Sequence, residues 1–426
     1  MTYRLVGFLL IGSACWGSAA AQLLSLEVCQ EQAKKNYPYV RQYELIEKSK
    51  AFSLSNASKA YLPQLGISGY AVMINGIPTI ALPNMPAQKA SNHQVAGVAR
   101  VDQAIWDGGA THAQRKMIEA GAQVEVAQND VSMYALRQRV NEIYFGILTL
   151  EQQQKQLRLQ EATLAANLKR VEAALANGAG FRSDVDEVKA SILDVDQQLL
   201  TVANTQKAYM RMLAYITGLE VDEGASFQQP AVLNTDVSLP DLPITRPELA
   251  LFDNSKAQIS SREHAIKAAL MPRVGVFAQA IYTTPGIDLL NQKLNHLLLG
   301  GLSVSWNIGA LYTRKNDLRQ IENDRNKVDV QQANFLYNLR LGLISSQMQM
   351  QNYMDLMRND DEIVELRKRI RESFEVKYAS GVITTSDLLR SINNEGNARI
   401  EKDIHHIQFI YSQYQIEFAT GQKDGL

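Results

Sequence analysis

Trp106-Asp107-Gly108-Gly109 and Trp306-Asn307-Ile308-Gly309 are two versions of one signal, and they lie roughly 200 residues apart. Each follows a stretch in which apolar and polar residues alternate, and each precedes a long segment with a seven-residue apolar repeat. A proline, Pro63 in the first case and Pro272 in the second, marks the start of the alternating part. Features that recur in one order at one spacing indicate an internal duplication.

Two further features recur downstream at nearly the same spacing. A glycine interrupts each long segment, at Gly178 in the first half and at Gly381 in the second. Thr217-Gly218 and Thr420-Gly421 then close the two halves. Chance matches would scatter, whereas these keep their order, so the chain is predicted to contain two structural repeats.

The duplication suggests a division of the chain into four parts. We predict a signal peptide over 1–21, a first repeat over 22–219, a linker or equatorial segment over 220–246, and a second repeat over 247–426. The linker is polar and rich in proline, which is typical of an irregular connection.

The N-terminus has the three parts of a secretory signal. Arg4 supplies a positive charge, Leu5 to Ala14 is a short apolar core, and Ser18 to Ala21 offers small residues for cleavage before Gln22. The alternative is a short membrane anchor, for which the apolar stretch is too short.

Cysteine use adds two expectations. Cleavage would leave Cys29 as the one cysteine of the mature chain, so no internal disulfide is expected. Cys15 could instead carry a lipid, but Gly12 stands where lipid attachment calls for a larger aliphatic residue.

The overall composition disfavours two classes of protein. The formal net charge of the 426 residues is -1, so no basic excess indicates a nucleic-acid partner. Beyond the N-terminus no apolar run reaches the length of a spanning helix, which argues against a polytopic helical membrane protein.

The long segments carry the apolar pattern of coiled helices. A seven-residue repeat predicts a left-handed supercoil, and the glycines at 178 and 381 predict two antiparallel helical hairpins. An elongated coiled coil in water would show the same pattern. The repeat in the first half consists of Leu136, Ile143, Leu150, Leu157, Leu164 and Val171.

Four alternating stretches of about ten residues predict two β-hairpins, over 61–106 and 272–306. This is the length of a tilted strand that crosses a bilayer with an apolar side towards lipid and a polar side towards the lumen. Arg100 and Asp102 fall on the polar side and are candidate lumen residues. The alternative is a soluble pair of hairpins packed on a helix.

The segments between the strands, Gly76 to His93 and Thr284 to His296, are predicted to be long outer loops. Strands in lipid must belong to a closed sheet, because every backbone polar group needs a partner there. Four strands are too few for a barrel, so two, three or four copies would have to combine.

Two segments resemble a known family. Leu24 to Ala33 resembles the usual start, and Tyr378 to Leu389 resembles the periplasmic tip motif, of the TolC-like outer-membrane factor (outer-membrane efflux protein) family. The resemblance covers essentially the whole mature chain, as two repeats that each consist of one helix, a β-hairpin, a long helix and a return helix. It implies a mainly α fold with a membrane β-barrel part, in which three copies form a 12-stranded barrel and an α-helical tunnel.

The resemblance also implies a function and partners. Such proteins are passive exit ducts of tripartite efflux pumps or type I secretion systems in the outer membrane of Gram-negative bacteria. They extend into the periplasm and contact a periplasmic adaptor, which couples them to an inner-membrane transporter. The resemblance implies a homotrimer in contact with outer-membrane lipid, and neither cofactor nor catalysis.

Four residues near the predicted tips are candidates for a periplasmic gate. Asp184 and Asp387 each lie six residues after the turn glycine, and the family has a second aspartate three residues further on. Here those positions hold Glu187 and Arg390, so the charge pattern departs from that of the family. The aspartates could instead act as first-turn acids of their helices, and Asp387 could pair with Arg390.

The tips are also candidates for adaptor docking. Gly178 and Gly381 are expected to form left-handed turns. Phe181, Val382 and Ile383 are apolar where exposure is expected, which suggests docking. Local packing within each tip is the alternative.

No motif indicates an enzyme. The six histidines form no metal-ligand pattern, and phosphate loops, nucleophile elbows and Cys-x-x-Cys motifs are absent. The remaining alternatives are a periplasmic coiled-coil scaffold, which would not need bilayer-length strands, and a substrate-binding protein, which should alternate strands and helices.

Overall fold

The computed structural model describes residues 23–73, 75–76, 79–80, 88–89, 92–222, 224–233, 243–284 and 295–421. The predicted signal peptide, with Cys15, lies outside the described residues, as does most of the two predicted outer loops.

Seven helices lie in the described residues, four in the first repeat and three in the second. They are α1 (Leu26–Asn36), α2 (Val40–Ser58), α3 (Ala110–Ala176), α4 (Arg182–Thr217), α5 (Pro247–Ala269), α6 (Ala310–Ala379) and α7 (Thr385–Thr420). The eight described strands are β1 (Leu23–Leu24), β2 (Gln64–Met73), β3 (Thr79–Ile80), β4 (Gln88–Lys89), β5 (His93–Trp106), β6 (Ser226–Phe227), β7 (Arg273–Thr284) and β8 (Asn295–Ser305).

The start of the first repeat differs from the single predicted helix. Tyr37 ends α1 in an extended conformation, with φ -69° and ψ 129°, and α2 begins only at Val40. Pro38 explains the break, because the residue before a proline is disfavoured in the helical region. In the second repeat Pro247 opens α5, where a proline at the first turn loses no helical hydrogen bond.

The chain forms two compact units, and both repeats contribute to each. The first unit takes the described residues of Met1–Tyr37, Ala135–Leu242 and Leu343–Phe418. The second takes those of Pro38–Tyr134, Pro243–Gly342 and Ala419–Leu426. The compact units therefore do not coincide with the sequence repeats.

A heptad core in the first unit joins three long helices. Leu157, Leu164 and Val171 of α3 are buried, as the seven-residue repeat predicts. They pack with residues of α4 and α7, namely Val185, Val188, Val195, Leu388, Leu389 and Ile392. The helical hairpin of one repeat thus shares a core with the return helix of the other.

Polar side chains along the same helices link α3 to α7. Gln156 donates a hydrogen bond to Asp403 at 2.7 Å, and Gln160 donates one to Asn393 at 2.8 Å. These bonds join the two repeats. Apolar contacts alone would allow the helices to pack in several registers, whereas these hydrogen bonds form in only one of them.

None of the helices within the described ranges combines the length and the apolar character needed to cross a membrane.

Candidate functional site

One antiparallel sheet in the second unit combines the strands of both repeats. Its order is β2-β5-β7-β8, so each predicted hairpin pairs internally and β5 joins the two. Within the described residues, β2 and β8 are the edges of this sheet. Two short two-stranded sheets, β1 with β6 and β3 with β4, are separate from it.

One face of the sheet is apolar over its full width. Residues that pair across strands lie on the same face, and the face changes with each step along a strand. Most of the large side chains on this face are exposed in a single chain; Leu298 is 78% exposed and Ile67 is 80% exposed. The face contains Leu65, Ile67, Val95, Val101, Val276, Tyr282, Leu298, Leu302 and Val304.

The opposite face carries the predicted lumen residues. Arg100 and Asp102 form a two-bond ion pair, with distances of 2.7 and 2.8 Å from the guanidinium nitrogens to the two carboxylate oxygens. The guanidinium carbon lies 5.1 Å from the centre of the Phe277 ring. The structure thus brings both candidates together on the more polar face, where each charge has a partner.

The Trp106-to-Gly109 signal is a joint between strand and helix. Asp107 accepts hydrogen bonds from the Gly109 and Thr111 backbone N–H groups at 2.9 and 2.7 Å, and from the Tyr61 hydroxyl at 2.8 Å. Burial would raise the pKa of Asp107, but these hydrogen bonds outweigh it and hold the pKa at about 2. A charged Asp107 therefore caps the start of α3.

The backbone conformation and the close surroundings of Gly108 explain why the Trp106-to-Gly109 signal contains a glycine at this position. Its φ is 71°, and a Cβ there would lie 2.9 Å from Cβ of Met271. A side chain at this position would therefore meet both backbone strain and a close neighbour.

Both helical hairpins turn at the predicted glycines by the same hydrogen-bond pattern. Gly178 and Gly381 have φ values of 72° and 68°. In each turn, the N–H of the residue after the glycine donates a hydrogen bond to the carbonyl five residues earlier. Ala179 donates to Ala174 and Val382 donates to Lys377, both at 2.9 Å. This is the Schellman motif, which requires a left-handed residue and so favours glycine.

The two candidate gate aspartates cap the return helices. Asp184 accepts a hydrogen bond from the Phe181 N–H at 3.3 Å. Asp387 accepts from the Thr384 N–H at 3.2 Å and from its hydroxyl at 2.7 Å. The Asp387 N–H in turn donates to the Thr384 hydroxyl, which completes a capping box.

Hydrogen bonding also lowers the pKa of Asp387. The Thr384 side chain is the largest cause, its backbone N–H follows, and the charge of Arg390 contributes least. The capping interpretation of the sequence is therefore observed within one chain, and pairing with Arg390 is a minor effect. A capped aspartate stays charged at neutral pH, so its capping role leaves a gating role open.

Glu187 and Arg390 have different surroundings. Glu187 accepts a hydrogen bond from the Ser386 hydroxyl, which links α4 to α7. Arg390 is exposed. The structure brings Glu187 close to the start of the other return helix.

The apolar tip residues differ in exposure. Phe181 is 75% exposed and Val382 is 69% exposed, whereas Ile383 is half-buried. The first two have little local packing, which argues against the local-packing alternative for them. Apolar side chains at a protruding turn are available to a partner.

A network of ion pairs lies further along the second hairpin. Arg371 of α6 bonds to Glu395 of α7 and, at 2.6 Å, to Glu375. Glu395 also accepts from Arg399 at 2.8 Å. Burial opposes the charge on Glu395, but these two arginines lower its pKa overall.

Sequence reasoning missed this network and the capping threonine. Thr384-x-x-Asp387 is a capping-box pattern, and Glu395 and Arg399 have the four-residue spacing of helical ion pairs, so both signals were readable. The pairing of Arg371 with Glu395 across the hairpin depends on the packing of two helices and has no local signal.

No cluster of three or more metal-ligating side chains occurs among the described residues.

Comparisons with known proteins extend these observations. No family model matches the chain, and no curated protein sequence matches it. Solved structures do match. The outer membrane protein VceC of Vibrio cholerae is 15% identical with a TM-score of 0.66, and the match covers 93% of this chain and 96% of VceC.

Two other solved structures give the same result. The CmeC outer membrane channel of Campylobacter jejuni is 14% identical with a TM-score of 0.66, over 93% of this chain and 85% of CmeC. The MtrE outer membrane channel of Neisseria gonorrhoeae is 14% identical with a TM-score of 0.64, over 93% of this chain and 88% of MtrE. At such identity the likeness concerns the fold, and the chain has the fold of the TolC-like outer-membrane factor family.

Proposed function

We propose that this chain is one protomer of an outer-membrane exit duct that serves a tripartite efflux pump or a type I secretion system. It acts as a passive conduit, without cofactor or catalysis, in the outer membrane of a Gram-negative bacterium and in the adjoining periplasm. The observation that carries the proposal is the four-stranded sheet with one apolar face and two edges, β2 and β8, that pair with no other strand among the described residues.

The apolar face supports a position in lipid. A water-soluble protein buries such a face, because burial of apolar area is worth about 25 cal/mol per Å². Here Leu302 and Val304 are 64% and 66% exposed. Strands of 10 to 14 residues match the length needed to cross the hydrocarbon core at a tilt.

The unpaired edges support a homotrimer. Lipid offers no partner for backbone N–H and C=O groups, so a membrane sheet must close. One chain contributes four strands, which is half of the smallest known barrel. Three copies would give about 12 strands, the number that the family resemblance implies.

A second exposed stripe supports association through the helices. Within the first unit, α6 leaves several large apolar side chains exposed. They are separated by three, four, seven or eight residues, so they lie on one face of the helix. Such a face is a site for packing against another copy. The stripe consists of Ile344, Met348, Leu356, Ile363, Leu366 and Ile370.

The helical tips are the proposed contact for a periplasmic adaptor, which would couple the duct to an inner-membrane transporter. The exposed side chains of Phe181 and Val382 follow the turn glycines Gly178 and Gly381, with Ile383 beside them. The gate at the tunnel mouth is proposed to use the charges of Asp184, Glu187, Asp387 and Arg390.

The first test is the mass of the mature protein purified in detergent, with the detergent mass subtracted. We expect a stable trimer, about three times the mass of one chain. A monomer that remains soluble after detergent removal would show that the strands do not enter a bilayer, and a periplasmic scaffold would then replace the duct.

A further inference from the structure

The described strands of the four-stranded sheet carry three charged side chains, and all three belong to the two middle strands. Arg100 and Asp102 lie on β5, and Arg273 is the first residue of β7. The edge strands β2 and β8 contain no lysine, arginine, aspartate or glutamate. These three residues therefore set the charge of the sheet.

All three charged side chains lie on the face opposite the apolar face. Asp102 pairs with Phe277, so these two side chains point to the same side of the sheet. Arg100 precedes Asp102 by two residues and Arg273 precedes Phe277 by four, and an even step along a strand keeps the face. The face proposed to lie in lipid thus carries no charge, whereas the lumen face carries every charge of the sheet.

The three charges do not cancel. Arg100 and Asp102 compensate each other in their two-bond ion pair, with distances of 2.7 and 2.8 Å. Arg273 is exposed, and its guanidinium forms no ion pair or hydrogen bond with another described residue. Each copy of the chain therefore leaves one positive charge on the lumen face.

Arg273 lies at the end of the sheet that joins the helices. α5 ends at Ala269, and three residues later β7 begins at Arg273. In the proposed duct the helices lie in the periplasm, so Arg273 marks the place where a solute passes from the tunnel into the barrel. Three copies would place three guanidinium groups around this entrance.

We infer that Arg273 gives the entrance of the barrel lumen an uncompensated positive charge and favours the passage of anionic solutes, an inference that rests on the proposed function. Rings of arginine or lysine favour anions in pores, because they raise the local concentration of anions and lower that of cations. The solutes favoured in this way carry carboxylate, phosphate or sulfonate groups.

The size of the effect follows from the width of the barrel and from the salt concentration. Twelve tilted strands about 4.8 Å apart enclose a radius of about 12 Å. The Debye length is about 10 Å at 0.1 M salt, so the charge acts over most of the lumen. At about 7 Å from one guanidinium, screened attraction and repulsion in water together separate monovalent anions from cations by about threefold.

The reactivity of a cysteine placed beside Arg273 measures this local charge. Ser305 of β8 pairs directly with Arg273, on the same face. The Ser305→Cys variant, purified in detergent, is treated with two methanethiosulfonates of similar size, one anionic and one cationic. The ratio of the two rates reports the local potential, because the fraction of thiolate affects both rates equally. Cys29 is buried and gives little background.

We expect Ser305→Cys to favour the anionic reagent by about threefold at 0.1 M salt, relative to the ratio for free cysteine. Arg273→Gln in the same background should return the ratio to that of free cysteine, whereas Arg273→Lys should keep the preference. The preference should increase at about 0.01 M salt, where the Debye length is about 30 Å.

Two further cysteine positions are the matched controls. Gln279 pairs with Arg100, whose charge Asp102 compensates, so Gln279→Cys should show no preference for either reagent. Val304 precedes Ser305 and lies on the apolar face, so Val304→Cys should react slowly with both reagents, because detergent covers that face.

The other outcomes separate the inference from the proposed function. If Ser305→Cys shows no anionic preference, or keeps it in Arg273→Gln, the inference is wrong, while a protected Val304→Cys and a trimeric mass leave the duct in place. An equal anionic preference at Gln279→Cys would assign the positive charge to other residues. Fast reaction of Val304→Cys with both reagents, in a monomeric protein, would overturn the proposed function as well.

Discussion

Ser386, at the start of the second return helix, donates a hydrogen bond to the carboxylate of Glu187 on the first. The two residues belong to different repeats and lie 199 positions apart in the chain. The bond therefore ties the two hairpin tips of one protomer to each other. A hydrogen bond that links two hairpins limits their independent motion at the proposed tunnel mouth.

This bond should appear as coupling between the two side chains. Ser386→Ala and Glu187→Ala should each destabilise the protein, and a double-mutant cycle in thermal unfolding should give a coupling of about 1 kcal/mol. The exposed Asp186 is the control, since Asp186→Ala should add independently to Ser386→Ala. Additivity of the Glu187 and Ser386 variants would contradict the bond.

The charges of Asp387 and Arg390 should affect conductance through the tip. We expect Asp387→Asn with Arg390→Gln to raise single-channel conductance in planar bilayers, because charged rings can hold a constriction shut. Asparagine can still accept the Thr384 hydrogen bonds, so the helix cap is kept while the charge is lost. This separates gating from capping.

Two controls complete the conductance experiment. Asp194→Asn removes an exposed charge elsewhere on α4 and should leave conductance unchanged. Asp387→Ala removes the cap together with the charge. Unchanged conductance in a folded Asp387→Asn, Arg390→Gln variant would exclude these residues as the gate.

Glu395 should make the second hairpin sensitive to acid. Its pKa is lowered in the folded protein, so its stabilising effect is present above the unfolded pKa and is lost as pH falls through the folded value. Glu395→Gln should cost about 3 kcal/mol near neutral pH, because Arg371 and Arg399 lose a shared partner.

The measurement is thermal unfolding from neutral pH down to about pH 3. The cost of Glu395→Gln should shrink with falling pH. Glu372→Gln is the control, since Glu372 is about half exposed and lies 3.7 Å from Arg371. An equal cost at every pH would refute the ionic role of Glu395.

Many features of this fold are determined by residues that are close together in the sequence, and these features could be predicted. The seven-residue repeat through Leu157, Leu164 and Val171 predicted the buried side of α3, and the glycines at 178 and 381 predicted the turns. These features depend on neighbouring residues in one helix or one turn, which is why periodicity and glycine indicate them.

Contacts between the two repeats could not be predicted from the sequence. The pairing of β5 with β7, and the bond from Ser386 to Glu187, depend on which surfaces meet after each repeat has folded. The break between α1 and α2 was readable from Pro38, but the repeat pattern suggested one helix. The capping of Asp184 and Asp387 was among the alternatives, whereas their role in a gate depends on neighbouring copies and remains a prediction.

Tyr144 makes another contact between distant parts of the chain, and sequence reasoning gave it no role. Its ring is fully buried, and its hydroxyl lies 2.7 Å from the Leu24 carbonyl oxygen and 2.6 Å from that of Gln228. Burial raises the pKa of Tyr144, so the hydroxyl keeps its proton and donates it. The bond holds together the ends of β1 and β6, two short strands that pair in parallel.

Tyr144→Phe keeps the ring and removes the donor to two carbonyls. The Leu24 carbonyl keeps the Gln228 N–H as a donor at 2.9 Å. Because the Gln228 carbonyl loses a buried donor, we expect a loss of about 1–3 kcal/mol in the free energy of unfolding. Faster hydrogen exchange should be confined to the segments around Leu24 and Gln228. Tyr215→Phe, at a position that is 87% exposed, should change neither quantity. If Tyr144→Phe matches this control, the carbonyls find other donors and the hydroxyl does not anchor the two strands.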